Sequence, residues 1–356
     1  MLPVRPTWRT GSHGSNLYKN RETQMKKKKV QDLVVSIVAC SLLLMMARFA
    51  ESLIPAAFDP SKFTPSVVEP RDTLYGVVTV GNKVIWMAGS NGKVVRSEDD
   101  GKTWSSQEPG IVENLQDIAA WDESRAVAVG NEGVIIVTQD GGKTWQRIEA
   151  PRSEVQNKLN QVQAGPAGKG WAVGLMGAVL GTEDFGKSWV RLVPEEDVGW
   201  NGVYFADAQN GWVVGEFGRM KRTRDGGNAW EEVTPLVETS LMSIAFRDSQ
   251  NGVAVGLEGS ILTTSDSGDT WTLVPVEGDV QHLWAVFWHE HGQSWVCVGN
   301  MGTYVTGDKN AKVWKWNRLS DTELMWHTGM AAASAKIYIV GGSQGDLEDG
   351  KWSYTF

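Results

Sequence analysis

Cysteine is nearly absent. The 356 residues contain only Cys40 and Cys297, which excludes a disulfide framework. Positive charge is scarce in the body: residues 55–356 hold 25 Lys and Arg against 39 Asp and Glu, so phosphate repulsion excludes a general nucleic-acid role. No long hydrophobic run is present either. The stretch Leu33–Ala47 has fifteen residues, interrupted only by Ser36 and Ser41 among its apolar side chains, and is marginal for crossing a bilayer. Tyrosine, at 6, is far outnumbered by 18 tryptophans, an imbalance that proves to be a repeat signature. What the chain does have is apolar material, 41% of its residues, too much for a disordered polymer and enough for a large core.

The first 54 residues reverse the charge, with nine Lys and Arg against three acids. Lys26–Lys29 stand just before Leu33–Ala47, the layout of a bacterial export signal. Met25 directly precedes the lysines and reads as the start of that signal, so residues 1–24 read as a disordered or mis-called extension. Residues 25–54 are expected to be a signal peptide or membrane anchor. The preferred reading is an uncleaved anchor over residues 30–54; the alternative is cleavage after Ala50, for which Arg48 is a poor neighbour. Ile37–Cys40 also fits a lipidation box, but Leu42–Met46 continues the apolar run and places Cys40 mid-helix. In each case the lysines stay cytoplasmic and the rest is exported. Residues 55–66, with three prolines, read as a linker.

The remainder, 67–356, repeats. A G-x-x-G pair recurs at Gly89/Gly92, Gly130/Gly133, Gly174/Gly177, Gly215/Gly218, Gly256/Gly259, Gly299/Gly302 and Gly342/Gly345. A strand-like segment precedes each, starting at Leu74, Leu115, Leu159, Trp200, Leu241, Leu283 and Met325, at spacings of 41 to 44 residues. Each unit parses as four short strands; in the fourth they are Trp200–Phe205, Gly211–Val214, Arg219–Thr223 and Ala229–Val233. The second strand, W-V-V-G at Trp212, W-A-V-G at Trp171 and V-A-V-G at Val253, has the continuous apolar character of a strand buried on both faces. Paired glycines suit a tight hairpin between it and the third strand. Four strands in each of seven units predict an all-β fold, a seven-bladed propeller of four-stranded antiparallel blades.

The turn between third and fourth strands has its own motif, S/T-x-D-x-G-x-T-W. It runs from Ser97 through Asp99 to Trp104, and recurs around Asp140/Trp145, Asp184/Trp189, Asp225/Trp230 and Asp266/Trp271. The aspartate is expected to cap amide groups of its own turn, and the tryptophan to pack between sheets. Five copies argue for structure over catalysis, since an active site needs one constellation. The sixth copy, Thr306–Trp314, is degenerate and the seventh, Asp346–Trp352, nearly lost.

These turns are Asp-box repeats. The fuller unit, Leu241–Phe246 followed by Val253–Trp271, resembles the photosystem II stability and assembly factor family and its relatives in non-photosynthetic bacteria. The resemblance covers residues 67–356. It implies a non-enzymatic propeller, monomeric within a hetero-complex, that binds new membrane subunits on the exported face through an arginine-rich patch. The nearest match to that patch is Arg219, Lys221, Arg222 and Arg224; Lys221 occupies a position that is Val95, Ile136, Leu180, Leu262 or Val305 in other blades. Glu231 and Glu232 offer the plainer reading, a balanced outer strand.

The hairpin tips supply a second candidate partner surface: Leu175, Met176, Phe217, Leu257 and Met301 are apolar where other blades carry Ser90-Asn91, Asn131-Glu132 or Ser343-Gln344. Other chemistries find less support. Nothing resembling the arginine segment of sialidases is present, and that reading also needs a tyrosine nucleophile and a separate acid. His289-Glu290-His291 is the one metal-like cluster and falls in a turn expected to be solvent-exposed, so no metal and no cofactor are expected. The glycine pairs join two strands and lack the helix N-terminus of a phosphate cradle. The expected function is docking on a membrane-protein complex as an assembly factor. The alternatives are an accessory subunit of another envelope complex, such as an exporter, or an Asp-box protein that binds or cleaves carbohydrate.

Overall fold

The repeat folds as its strand pattern dictates. In a computed structural model that describes residues 67–356, with only Lys27, Lys29, Ser41 and Met45 upstream, seven four-stranded antiparallel sheets follow one another along the chain. The expected extension, anchor and lipidation site lie outside the described residues, among which no helix is long and apolar enough to cross a membrane. Within each blade the strands pair in sequence order, innermost to outermost, and are called a to d here. The a strands are Leu74–Val80, Leu115–Ala120, Leu159–Ala164, Trp200–Phe205, Leu241–Phe246, Leu283–His289 and His327–Ala333.

The b strands are buried on both faces in every blade, for example Ala126–Gly130 and Gly211–Gly215. Their side chains, with those of the a and c strands, form seven apolar clusters, each shared by two adjacent blades. One joins Ile337 and Ile339 of blade seven to Val296 and Val298 of blade six. Another joins Tyr338 and Val340 of blade seven to Leu74, Ile85 and Met87 of blade one, and so closes the ring. Blade seven takes all four strands from the C-terminal residues, ending in Lys351–Tyr354, and among the described residues no N-terminal strand adds to it.

The glycine pair does two separate jobs. The first, Gly89 in blade one, is extended; a Cβ there would collide with the Thr73 carbonyl oxygen where strand a enters the blade. The second, Gly92, has φ +68 and forms, with Asn91 at φ 54, the two central residues of the hairpin. Positive φ at both central positions matches the right-handed strand twist. Blade seven departs from the expected register. Its strand a begins at His327, two residues after Met325, and Gly341, rather than Gly342, pairs with that first residue. Gln344 then stands where a second glycine would be.

Each Asp box holds its own turn. The aspartate Oδ1 accepts the amide four residues on, as from Thr144 to Asp140 at 2.9 Å, and in four of the five boxes Oδ2 accepts that residue's hydroxyl. These bonds hold the carboxyls of Asp99, Asp140, Asp184, Asp225 and Asp266 below the ordinary aspartate range.

The tryptophans of the boxes are less uniform than the aspartates. The indole of Trp104, Trp189 or Trp230 donates to the carbonyl three residues back, each at 3.0 Å. Trp145 and Trp271 depart from this pattern: among the described residues neither indole nitrogen has a hydrogen-bond partner. Trp189 and Trp271 are buried, whereas Trp104, Trp145 and Trp230 are half-buried. Trp145 packs against the apolar cluster between the sheets of blades one and two. Trp86, fully buried on strand b of blade one, belongs to that cluster, and the Arg96 guanidinium lies 4.7 Å from its ring centroid. Trp145 meets Trp86 edge-on, with centroids 5.8 Å apart.

Blade six keeps the box geometry despite its degenerate sequence: Asp308 Oδ1 accepts the Lys312 and Val313 amides, and Ala311 takes the left-handed conformation at φ 55. Blade seven replaces the box with a two-residue turn at Asp349-Gly350.

Candidate functional site

The b–c hairpins and d–a connections lie together on one face, joined by backbone hydrogen bonds such as Gly177 N–H to Val198 O at 2.7 Å. That face collects exposed apolar side chains. Val112, Val155, Leu236, Leu324 and Met325 stand on d–a connections, and Phe217 and Met301 on hairpin tips. The opposite face, built from a–b and c–d turns, exposes only Val313 of this kind among residues 67–356. Of the five hairpin residues singled out by sequence, Phe217 is 70% exposed and Met301 43%, whereas Leu175, Met176 and Leu257 are half-buried. Met176, Phe217 and Met301 also adopt φ of 53, 57 and 58. A side chain in this left-handed region costs roughly 1–2 kcal/mol over glycine, and bulky residues are seldom found there. The equivalent hairpin residue is left-handed in six blades, being Asn91, Glu132 or Glu258 in the other three, so these tips differ in the apolar bulk they hold there.

Blade four carries the basic ridge. Arg219 bonds Glu196 at 3.1 Å and Glu232 at 2.7 Å; Lys221 pairs with Glu196, and Arg222 with Glu231 at 3.1 Å. Arg222 and Arg224 both reach Asp269 of blade five at 2.6 Å. Four cations thus meet four carboxylates, of which only Glu231 and Glu232 were foreseen. Arg219 and Lys221 also lie 5.4 and 5.3 Å from the ring centroid of Trp200, which replaces the leucine that starts strand a in most other blades. Burial raises the Glu196 carboxyl, but hydrogen bonds from Lys221 and Arg219 outweigh it and hold it below its usual value. Through Glu196, which abuts Gly177, the structure brings the Met176 hairpin next to Arg219 and Lys221.

One cluster differs from expectation, and another was not foreseen. His289 is not on an exposed turn: it ends strand a of blade six and is buried, and burial lowers its pKa. Glu290 beside it accepts from the Trp288 indole at 2.6 Å, and among the described residues no three metal-ligating groups converge. At the joint between blades six and seven, buried Glu323 accepts from the Ser343 hydroxyl at 3.0 Å, and Ser343 lies 3.1 Å from His327 Nε2. Burial pushes the His327 imidazole well below its ordinary pKa, only partly opposed by Glu323. Six blades carry Leu or Trp where blade seven has His327.

All seven inner strands line a central channel of about 460 Å³. Their side chains stitch neighbouring blades: Asn160 donates to Trp200 O at 2.9 Å, Asn201 to Leu241 O at 3.0 Å, and Thr328 to Tyr75 O at 3.0 Å. One acid, Asp117, and one base, Lys158, belong to the wall. Burial raises the Asp117 carboxyl to about 7, against the amides of Val162 and Ile118. Among the described residues, no arginine and no second carboxylate line the channel. Neither Asp117 nor Lys158 was picked out from sequence, although Asp117 is the one ionisable residue in its column of the repeat.

Residues 106–199 and 193–283, together half of the chain, match the family model of the photosynthesis system II assembly factor YCF48. The chain belongs to the YCF48 family. The resemblance carried by Leu241–Phe246 and Val253–Trp271 is thereby confirmed. No curated protein matches the chain. Among solved structures it is similar to YCF48 bound to a D1 peptide, with a TM-score of 0.63 and 17% identity over 76% of this chain and 90% of that one. YCF48 from Cyanidioschyzon merolae gives 0.65 and 16% over 80% and 98%. A GH74 xyloglucanase from Xanthomonas campestris gives 0.66 and 13%, over 82% of this chain but only 55% of the enzyme. At such identities the structural likeness is one of fold, so YCF48 membership rests on the family model.

Proposed function

We propose that this chain is a non-catalytic assembly factor whose loop face docks a segment of a photosystem II-type membrane protein. The observation that carries the reading is the concentration of exposed apolar side chains, together with three hairpin residues in left-handed conformation, on one face of a rigid ring. YCF48 membership and a relative bound to a D1 peptide support the client class. The basic ridge Arg219–Arg224 borders this surface at the Met176 hairpin and would set the register of a bound segment by exchanging its carboxylate partners. Residues 30–54 would tether the ring on the periplasmic side, or the thylakoid-lumenal side in a photosynthetic host. Preformed loops lose little entropy on docking, and binding stabilises an assembly intermediate by mass action.

The enzyme reading has a structural precedent in the GH74 neighbour, but glycoside hydrolysis uses a pair of carboxylates, and among the described residues Asp117 is the only one on the channel wall. Capture from crosslinked membranes tests the proposal. Phe217→Asp with Met301→Asp should reduce client recovery at least tenfold without lowering the melting temperature. Unchanged recovery would overturn it, and glycoside turnover abolished by Asp117→Asn would establish the enzyme instead.

A further inference from the structure

The third residue of strand a is Gly76, Asp117, Gln161, Gly202, Ser243, Ala285 or Gly329, one per blade, and only Asp117 is ionisable. Its visible task is a stitch: Oδ2 accepts the Val162 amide of the next blade at 3.0 Å. Gln161 makes the same stitch to the Val203 amide at 2.6 Å with a neutral oxygen, and Ser243 to Val286 at 3.3 Å with a hydroxyl. The stitch therefore needs an acceptor and no charge. A carboxylate in this place incurs a desolvation penalty that an amide avoids. Among the described residues no cation forms an ion pair with Asp117. Lys158, the one base on the wall, has its pKa lowered by burial alone, without a carboxylate contributing.

We propose that the channel is a binding site for an organic cation, a guanidinium or primary ammonium group, with Asp117 as counter-ion. The cavity of about 460 Å³ falls within the range of roughly 300–1,000 Å³ usual for small-ligand sites. Its wall is two-sided. Blades two and three contribute Gln116, Asp117, Asn160 and Gln161, while blades five and six contribute Met242, Trp284 and Val286 across the ring. A cation on an alkyl stem finds its charge partner on the first side, and apolar and aromatic surface on the second. Gly76 keeps the carboxylate clear, since a Cβ there would lie 2.7 Å from Asp117 Oδ1. The strongly acidic body draws cations toward the mouth. The charge has two sources, a free amine or guanidine and the side chain of a partner's lysine or arginine.

Thermal melts of the full chain with n-butylguanidinium, and with its uncharged isostere n-butylurea, test the site. The cation should raise the melting temperature of the wild type above about pH 7, where Asp117 is ionised, and much less near pH 5. Butylurea should have no effect. Asp117→Asn should weaken the response to the cation at least tenfold in concentration. Met242→Lys, which supplies a tethered ammonium, should abolish it and serves should the first variant fail to fold. An equal response in wild type and Asp117→Asn, or none in the wild type, overturns the proposal. An end-blocked Gly-Arg-Gly peptide that reproduces the shift assigns the site to a partner side chain; a shift with the small ion only assigns it to a free ligand. Client capture by Asp117→Asn, measured alongside, is expected to persist, which separates this site from docking on the loop face.

Discussion

The half-buried carboxylate at the hub should make the ring less stable as pH rises, and Asp117→Asn should remove that dependence. Burial lifts the folded-state pKa of Asp117 from 3.8 to about 7. Between those values the folded chain holds a proton that the unfolded chain has released, so stability is greatest below the unfolded pKa and is lost as pH rises through the folded one. At about 1.4 kcal/mol per unit, the difference approaches 4 kcal/mol at pH 8. Asparagine keeps an oxygen for the Val162 amide and carries no charge, so the stitch survives. For a body of this size the gain corresponds to roughly 5–10 °C in melting temperature near pH 8, vanishing near pH 4. The assay is differential scanning fluorimetry of both proteins across that range, read as the difference between them, which cancels the titration of the box aspartates. A difference independent of pH, or a variant that melts lower at pH 8, would show that Asp117 is not a desolvated acid.

Replacing Asp140 by Ala should cost about 1–2 kcal/mol by orphaning the Thr144 and Thr138 groups, and should leave client capture unchanged in the same pull-down. Phe217→Gly should stabilise the fold by about 1 kcal/mol, because the residue sits at φ 57, while weakening capture; a chemical denaturation curve and the pull-down read the two effects separately. Glu323→Leu and His327→Leu should each destabilise by about 2–4 kcal/mol, whereas the double variant, which removes both titratable groups, should lose much less than the two single losses summed; a double-mutant cycle from urea midpoints measures the coupling.

The repeat positions were legible because each blade must meet the same physical demand. A b strand covered on both faces reads as W-V-V-G, and a box that caps its own turn reads as Asp followed five residues later by Trp. The motif shows that such a tryptophan is present, but its packing depends on the neighbouring blade: Trp145 meets Trp86, a residue some sixty positions earlier, edge-on. Blade seven relaxes the shared demands. With no second glycine and no box, its pair Gly342/Gly345 mimics the motif one residue out of register, and His327 rather than Met325 starts the strand. In blade six Ala311 tolerates the left-handed conformation, so the box survives a sequence that looks broken. The hub escapes sequence reading for a different reason. Strand a residues facing a channel follow no apolar alternation, and their partners are backbone amides some forty residues away. Only comparison down the column isolates Asp117. The carboxylates opposing the basic ridge were half visible: Glu231 and Glu232 lie on the paired d strand, but Glu196 and Asp269 come from the connection before blade four and the box of blade five.

Closure of the ring without a shared strand leaves one joint, between blades seven and one, to be held by side chains and loops alone. The contacts there span the radius. At the hub, Thr328 donates to Tyr75 O at 3.0 Å and Thr79 to Ala332 O at 2.7 Å. Midway, Val68, from the segment before the first strand, joins Val340 and Leu74 in the shared cluster. Farther out, the Tyr338 hydroxyl bonds Asp100 O in the first box at 2.9 Å, and Phe356 packs edge-on to Trp104 at 5.3 Å. A joint fastened at only one radius could hinge about that point; fastening at three makes rotation of the terminal blade cost all of them together. That rigidity bears on recognition, because side chains in unfavoured conformations at hairpin tips keep their positions only if the blades beneath them do not move.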